Sequence, residues 1–281
     1  MVTYAATLDV PRHIVVHLSR LLAAHRRRLN TPRGSRVLGT FRQAVMVLRW
    51  FRERGCVHCL ARDAGVSQAT GYRYLHEAID VLAAQAPDLH EVLNRCREEG
   101  MSHVILDGML IESDRLTGTR DNGNDLWFSQ KHKSFGGNVQ FLTASDGTPL
   151  WVSDAEPGST PDITAARLYV LPALYKAAAD GLPTLADKGY IGAGIGVHVP
   201  VRRPKGKSEQ ALDADTRTTN TLIRDLRALG ERTAAELKEH WRTLKRVTLS
   251  PSRIGDIARA APALNSQLRT SSSCATAYGR M

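Results

Sequence analysis

Apolar residues in the first third of the chain recur at the three- and four-residue spacing of amphipathic helices. The clearest runs are Val16, Leu18, Leu21, Leu22 and Phe41, Val45, Leu48, Phe51. Gly55 separates two of the predicted helices, and Pro87 and Gly100 punctuate the end of the region. We therefore predict an all-α domain over residues 1–100.

From residue 102 the pattern changes to short apolar runs that are typical of strands. These runs are HVILDGMLI, GGNVQFLTA, PLWVSDA, PTLADKGY and HVPVRR. Asp146-Gly147 indicates a hairpin turn, and Pro172 must kink or divide the helix predicted around it. A long helical stretch follows, roughly over residues 213–244. Strands followed by alternating strand and helix predict an α/β domain with a mixed sheet over residues 101–265, and residues 266–281 are predicted to be a loose tail.

The segment CLARDAGVSQATGYRYLHEAIDVL predicts a short helix, a turn and a second helix. Gly65 suits the left-handed end of the first helix, and Ser67 suits the N-cap of the second. This order is typical of a helix-turn-helix, whose second helix enters the major groove of DNA. The DNA-contacting residues would then be Gln68, Thr70, Tyr72 and Arg73. The alternative is an ordinary helical hairpin in which Tyr72 and Tyr74 help to build a core.

The formal net charge of +10 favours a polyanionic partner such as nucleic acid or an acidic membrane surface. Residues 1–100 contain 15 basic and 9 acidic side chains, residues 101–200 contain 7 and 11, and residues 201–281 contain 16 and 8. The basic run between residues 20 and 54 consists of arginine, which favours phosphate contact over a merely solvated surface. No apolar run reaches 18 residues and the N-terminus has no signal-peptide pattern, so we expect a cytoplasmic protein without membrane contact.

The four cysteines do not predict a metal site. Cys56 and Cys59 form a C-x-x-C pair, but neither a second pair nor an H-x-x-x-H motif follows them. We therefore expect reduced thiols here, as at Cys96 and Cys274.

Two carboxylates follow apolar strand runs, where an ionised side chain is costly unless a cation compensates it. Asp107 comes after Val-Ile-Leu, and Asp187 comes after Leu-Ala. Together with a third acid from a helix, they would form the oxygen-rich site that magnesium prefers. Lys131, His132 and Lys133 are predicted on a strand near this site, where cations can hold a phosphate. The alternative for these three residues is a solvated hairpin edge.

The helix-turn-helix segment and four later segments resemble, in order and spacing, the DDE-type transposases of bacterial insertion sequences, and most closely the insertion-sequence-five group. The later segments are VILDGMLIESDR, FSQKHKSFGGNVQFLTASDGTPLWVSDAEPGSTPDITAAR, LADKGY and GERTAAELKEHWRTLKRVTLSPSRI. The resemblance spans roughly residues 55–258. It implies a ribonuclease-H-like catalytic domain, with a mixed sheet flanked by helices, behind the helix-turn-helix domain. Asp107, Asp187 and Glu231 would be its three catalytic acids, with Glu231 preceding Arg232 as in the family pattern and Glu236 as the rival third acid.

The activity that the resemblance implies is metal-dependent cleavage and strand transfer of DNA. The three acids would bind two Mg²⁺ or Mn²⁺ ions, one activating a water or a 3′ hydroxyl and the other stabilising the leaving oxygen. The partners would be the terminal repeats of the element and the target DNA. A homo-oligomer is expected because two DNA ends must be held together.

Several basic residues near the second acid are further candidates for DNA contact. They are Lys188, Arg202, Arg203, Lys205 and Lys207. Relatives often have histidine at the position of Pro161, and the adjacent Asp162 is interpreted equally well as a helix cap or as a functional group. Two other functions stay open: a nuclease that does not rejoin DNA, and a DNA-binding regulator that has lost catalysis.

Overall fold

The structure, a computed structural model, describes residues 7–121, 123–206 and 211–278, with no side chains described beyond residue 266. The chain divides into two compact units. The first comprises Met1–Ala86, Lys238–Lys245 and Ala260–Met281, and the second comprises Pro87–Leu237 and Arg246–Arg259. The boundary predicted near residue 100 therefore lies at residue 86, and two later segments return to the first unit.

The first unit is helical, as the apolar spacing predicted. Its N-terminal helices are α1 (Arg12–Arg28), α2 (Thr40–Glu53), α3 (Val57–Asp63) and α4 (Gln68–Ala83). The first, second and fourth bury their apolar faces together, including Leu18, Leu22, Phe51, Leu75 and Ile79, all at most 1% exposed. Trp241 from a returning segment is fully buried, with its ring 6.3 Å from that of Phe51. This burial explains why residues 238–245 belong to the first unit.

The second unit begins with α5 (Leu89–Glu98), which the sequence assigned to the first domain. Its apolar face, formed by Leu89, Val92, Leu93 and Cys96, packs in one cluster with side chains of the sheet and of a later helix. The strands are β1 (Val104–Ser113), β2 (Phe128–Ser129), β3 (Ser134–Ala144), β4 (Pro149–Pro157), β5 (Thr184–Leu185), β6 (Val197–His198) and β7 (Arg246–Val247). The helices after β4 are α6 (Asp162–Tyr169), α7 (Leu171–Ala179), α8 (Ala214–His240) and α9 (Ile254–Tyr278).

The strands form one mixed sheet, as predicted, in the order β2-β3-β1-β5-β6, with β4 pairing with β3 and β7 with β1. β1 is antiparallel to β3 and parallel to β5 and β7. Because β3 occupies one edge of β1 along most of its length, β5 and β7 share the other edge, at Val104–Ile105 and Glu112–Ser113. The middle of β1 therefore faces a gap between these two short strands.

The two faces of β1 pack against different helices. Val104 and Leu106 belong to the cluster that contains residues of α5, α6 and α7. Ile105 points to the opposite face, where a Cβ added to Gly230 of α8 would lie 3.0 Å from its Cγ2. Alternation along the strand then directs Asp107 to the α8 face and the open position of Gly108 to the α6 face.

Local turn chemistry agrees with the sequence at two points and differs at one. Gly147 adopts a left-handed φ of +84° between β3 and β4, as the hairpin signal predicted. Pro172 lies in the first turn of α7, directly after the break between α6 and α7. The backbone from residue 266 to 278 continues α9, where the sequence predicted a loose tail. Residues 279–281 and Lys207 lie outside the described part of the chain.

Candidate active site

Asp107 lies in β1, and Asp187 lies two residues after the end of the adjacent parallel strand β5. Ile105 of β1 pairs with Leu185 of β5, so each aspartate follows two residues after this pair. β5 ends at Leu185, and the Asp187 carboxylate accepts a hydrogen bond of 2.7 Å from the Gly189 N–H. This bond caps the 3₁₀ turn Lys188–Tyr190.

Burial and neighbouring acids make the ionised form of Asp107 unfavourable. Its side chain is 21% exposed. Burial, together with the negative charges of Asp187 and Glu231, raises the pKa of Asp107 from 3.8 to about 6, against the opposing effects of Arg227 and of the Gly108 N–H. The three acids predicted from the sequence are thus electrostatic neighbours.

Arg227 joins the first and third of these acids on the α8 face of the sheet. Its side chain is only 9% exposed, and its Nη2 lies 3.7 Å from Asp107 Oδ1 and 3.2 Å from Glu231 Oε1. Glu231 itself is 58% exposed, one helical turn after Arg227. The sequence analysis did not single out Arg227, although an Arg–Glu pair at i,i+4 on a predicted helix was a readable signal.

Asp162 is a further functional candidate, which the sequence analysis interpreted equally well as a helix cap or as a functional group. It begins α6, but the N-cap residue is Pro161 and no side chain caps this helix. Its carboxylate instead accepts hydrogen bonds of 2.8 Å from Asn138 Nδ2 and 2.9 Å from Lys131 Nζ. A Cβ added to Gly108 would lie 2.3 Å from Asp162 Oδ1. The residue after Asp107 must therefore be glycine for this carboxylate to reach its position.

A buried polar chain supports Asp162 from behind. Asn138 and Gln140 lie opposite Leu110 and Gly108 on β3, so they share the α6 face. The fully buried Tyr190 donates a hydrogen bond of 2.8 Å to Gln140 Oε1, and Gln140 Nε2 lies 3.4 Å from Asn138 Oδ1. Burial, with the charges of nearby aspartates, raises the pKa of Tyr190 well above 10, so its hydroxyl remains a donor.

The basic residues of the second unit that were predicted to contact DNA lie at exposed positions. Lys131 and Lys133 belong to the turn between β2 and β3, so the prediction of a strand was wrong, and the left-handed φ of +54° at Lys133 shows why the strand is interrupted. Lys188 is exposed beside Asp187. Arg202 and Arg203 are exposed in the irregular segment after β6.

In the first unit, α3 and α4 are joined by the predicted turn. Gly65 has a φ of +73°, and Ser67 Oγ caps α4 by accepting the Thr70 N–H at 3.3 Å. Of the four residues predicted to contact DNA, Gln68 and Arg73 are exposed, whereas Thr70 and Tyr72 are half-buried. Tyr74 is buried and its hydroxyl accepts the Leu38 N–H at 3.1 Å, so this tyrosine belongs to the core.

Charge and donor chemistry at the acids fit a divalent cation. Asp107, Asp187 and Glu231 supply only oxygen ligands, and Arg227 offsets one of their three negative charges. Within the described residues, however, no three His, Cys, Asp or Glu side chains lie close enough together to hold a metal ion as they stand. Glu231 is more exposed than Asp107, at 58% against 21%. The thiols of Cys56 and Cys59 are free and exposed, and that of Cys96 is free and buried.

A family model described as a DDE superfamily endonuclease matches residues 106–265, more than half of the chain. Two solved structures were found at 13% sequence identity, a pre-cleavage Mos1 transpososome and the Mos1 strand transfer complex. Their TM-scores are 0.18 and 0.21. The two alignments cover 95% and 94% of this chain, and 98% and 97% of the matched chains. Scores of this size do not establish a shared fold. No curated protein matches the chain. No helix in the described residues has the length and apolar composition needed to cross a membrane.

Proposed function

The chain belongs to the DDE superfamily endonucleases, and on this premise we propose that it is a transposase of the insertion-sequence-five type. It would cut DNA at the ends of an element and join those ends to a target. The observation that carries the proposal is that Asp107 of β1 and Asp187, just beyond β5, each follow the Ile105–Leu185 pair of these parallel strands by two residues. Arg227 also links Glu231 to Asp107. A ribonuclease-H-like topology is part of the proposal and agrees with the mixed sheet.

The acids of this chain prepare the site for chemistry on phosphorus. Asp107, Asp187 and Glu231 would hold two Mg²⁺ or Mn²⁺ ions, which supply activation of a water or 3′ hydroxyl and stabilisation of the leaving oxygen. Asp107 must lose its proton to serve as a ligand, and Arg227 favours that loss. The half-buried position of Asp107 restricts water around it, which strengthens its interaction with any cation.

DNA binding is assigned to both units. We propose that the start of α4 reads bases in the major groove and that exposed basic residues of the second unit contact phosphates. The base-reading residues would be Gln68, Thr70, Tyr72 and Arg73, and the phosphate contacts would be Lys131, Lys133, Lys188, Arg202 and Arg203. Exposure of Arg73 beside the capped N-terminus of α4 supports this assignment.

The proposed cleavage and strand transfer determine which partners the chain would need. The substrate would be the terminal repeats of the element together with target DNA. Two ends must be processed together, so we propose that at least two copies of the chain act in one complex. The proposed location is the bacterial cytoplasm, at the nucleoid.

The test is a cleavage and strand-transfer assay with Mg²⁺ on a plasmid that carries the coding region and its flanking DNA. The wild-type chain should give cut and joined products. Asp107→Ala, Asp187→Ala and Glu231→Ala should lose both products while binding to DNA persists. Glu236→Ala, on the same helix, should retain both products if Glu231 is the third acid.

The same assay separates the other two functions. Cut DNA without joined product would identify a nuclease that does not transfer strands. DNA binding without any cutting by the wild-type chain would identify a regulator that has lost catalysis. Arg73→Ala should weaken binding to the element ends, and unchanged binding would remove Arg73 from the recognition helix.

A further inference from the structure

We propose that Asp162 is a positioning residue that holds the Lys131 ammonium on the α6 side of the active site, where it contacts a phosphate of the substrate strand. The inference rests on the proposed function, because it assumes that DNA is the substrate. It assigns to Asp162 a role that differs from helix capping, which the structure shows this side chain does not perform.

The Asp162 carboxylate occupies a site that is built around it. The side chain is 12% exposed and accepts one hydrogen bond on each oxygen, from Asn138 and Lys131. Added Cβ atoms at Gly108 and Gly189 would lie 2.3 and 3.4 Å from its oxygens. Both glycines stand next to the predicted acids, at one residue after Asp107 and two after Asp187. The carboxylate is therefore fixed in orientation beside both strands of the active site.

Lys131, by contrast, is an exposed side chain held by its ion pair with Asp162. It lies in the turn between β2 and β3, and its side chain is 57% exposed. A free lysine side chain samples many rotamers, and ordering it costs conformational entropy. The ion pair with Asp162 holds the ammonium within the electrostatic reach of Asp187 and Asp107, whose charges also favour its charged form. Asp162 thus holds the Lys131 ammonium near the predicted acids.

A cleft of mixed polar and apolar lining beside this pair has room for a short piece of sugar-phosphate backbone. Its volume is about 170 Å³, smaller than the 300–1,000 Å³ typical of small-molecule sites, so it suits a short segment of backbone. Lys131 and Asp162 form part of its wall, and the other charged or polar lining residues include Arg120, Asn124, Asp125, Gln130 and Ser159. Cations and amides of this kind bind phosphodiester oxygens.

The decisive experiment is a double-mutant cycle on DNA affinity, measured by fluorescence anisotropy in EDTA with a short duplex from the flanking DNA. Lys131→Gln should weaken binding by roughly 10-fold in the wild-type background, as expected for loss of a charge-assisted hydrogen bond. In the Asp162→Asn background the same substitution should change affinity by less than about 2-fold, because Lys131 is no longer held.

Lys133→Gln is the matched control, since Lys133 lies in the same turn but donates to Gln130 rather than to Asp162. Its effect should be equal in the two backgrounds. An equal loss for Lys131→Gln with and without Asp162 would overturn the proposal. If Asp162→Asn does not fold, judged by its unfolding temperature, Asp162→Ala takes its place, because the smaller side chain adds no contact to Gly108.

Cleavage by the wild-type chain is scored separately. If the chain binds DNA with the expected coupling but never cuts, the proposed function fails and the positioning role of Asp162 stands. If it cuts, Asp162→Asn and Lys131→Gln should slow single-turnover cleavage at saturating DNA by similar factors, with no further loss in the double variant. If the double variant slowed cleavage by the product of the two single factors, the proposal would be overturned.

Discussion

Replacing Asp107 by asparagine should abolish activity and yet stabilise the protein. The side chain is 21% exposed and lies near the negative charges of Asp187 and Glu231. Asparagine has nearly the same shape as aspartate and resembles the protonated form, which is more stable in the folded protein than in the unfolded chain. The substitution therefore removes an unfavourable charge without opening a cavity.

The magnitude follows from the pKa of Asp107, which rises from 3.8 to about 6. Because each pKa unit corresponds to about 1.4 kcal/mol, the ionised side chain costs the folded protein about 3 kcal/mol at pH 8. The folded state binds this proton more tightly than the unfolded state. The cost is therefore absent below pH 3.8, grows as the pH rises towards 6, and is complete above 6.

The assay is urea unfolding of the wild-type chain and Asp107→Asn, in EDTA, at pH 8 and at pH 4. Asp107→Asn should be more stable by about 3 kcal/mol at pH 8 and almost unchanged at pH 4. Glu236→Gln, at an exposed position of α8, is the control and should shift stability by at most about 0.5 kcal/mol at either pH. Adding MgCl₂ at pH 8 should stabilise the wild-type chain alone. A gain that persists at pH 4, or no gain at pH 8, would refute the reasoning.

Three further substitutions test packing. Gly71→Ala should destabilise the first unit by about 1–3 kcal/mol and weaken DNA binding, because the new Cβ would lie 2.7 Å from a side chain of α3. Thermal unfolding measures the stability and fluorescence anisotropy measures the binding, and an unchanged unfolding temperature would contradict the close approach. Gly108→Ala should displace the Asp162 carboxylate and slow cleavage at saturating DNA; wild-type rates would show that this contact is dispensable. Thr243→Val should cost about 1 kcal/mol in urea unfolding, because it removes the 2.7 Å hydrogen bond to the Trp50 carbonyl, whereas Thr243→Ser should retain most of the stability.

Local periodicity predicted much of the fold because strands and helices impose their spacing on neighbouring residues. The strand run at residues 104–113, the turn at Gly147 and the cap at Ser67 all depend on signals within a few positions. The position of a helix in the tertiary structure has no such signal. The apolar face of α5 shows that the helix is buried on one side, but only the structure shows that this side packs with α7.

The residues of the candidate site also fall into two groups, those with a local signal in the sequence and those without one. Asp107 and Asp187 could be proposed from the sequence because a charge at the end of an apolar strand run is unusual, and each follows the Ile105–Leu185 pair of β1 and β5 by two residues. Asp162 and Arg227 carry no such local anomaly. Asp162 stands where a helix cap is expected, and Arg227 stands on a helix with many charged residues. Their relation to the acids arises from contacts over long sequence distances.

The balance of charge at the site connects these residues to the composition of the whole chain. Asp162 and Lys131 form a neutral pair, while Asp107, Asp187 and Glu231 keep two negative charges beyond what Arg227 offsets. Without a cation this centre repels phosphate, although the chain as a whole carries +10 and attracts DNA. A divalent ion would cancel the local excess. On the proposed function, DNA therefore binds first through the surrounding basic residues, including Lys131, and the scissile phosphate enters the acidic centre only after the metal has bound.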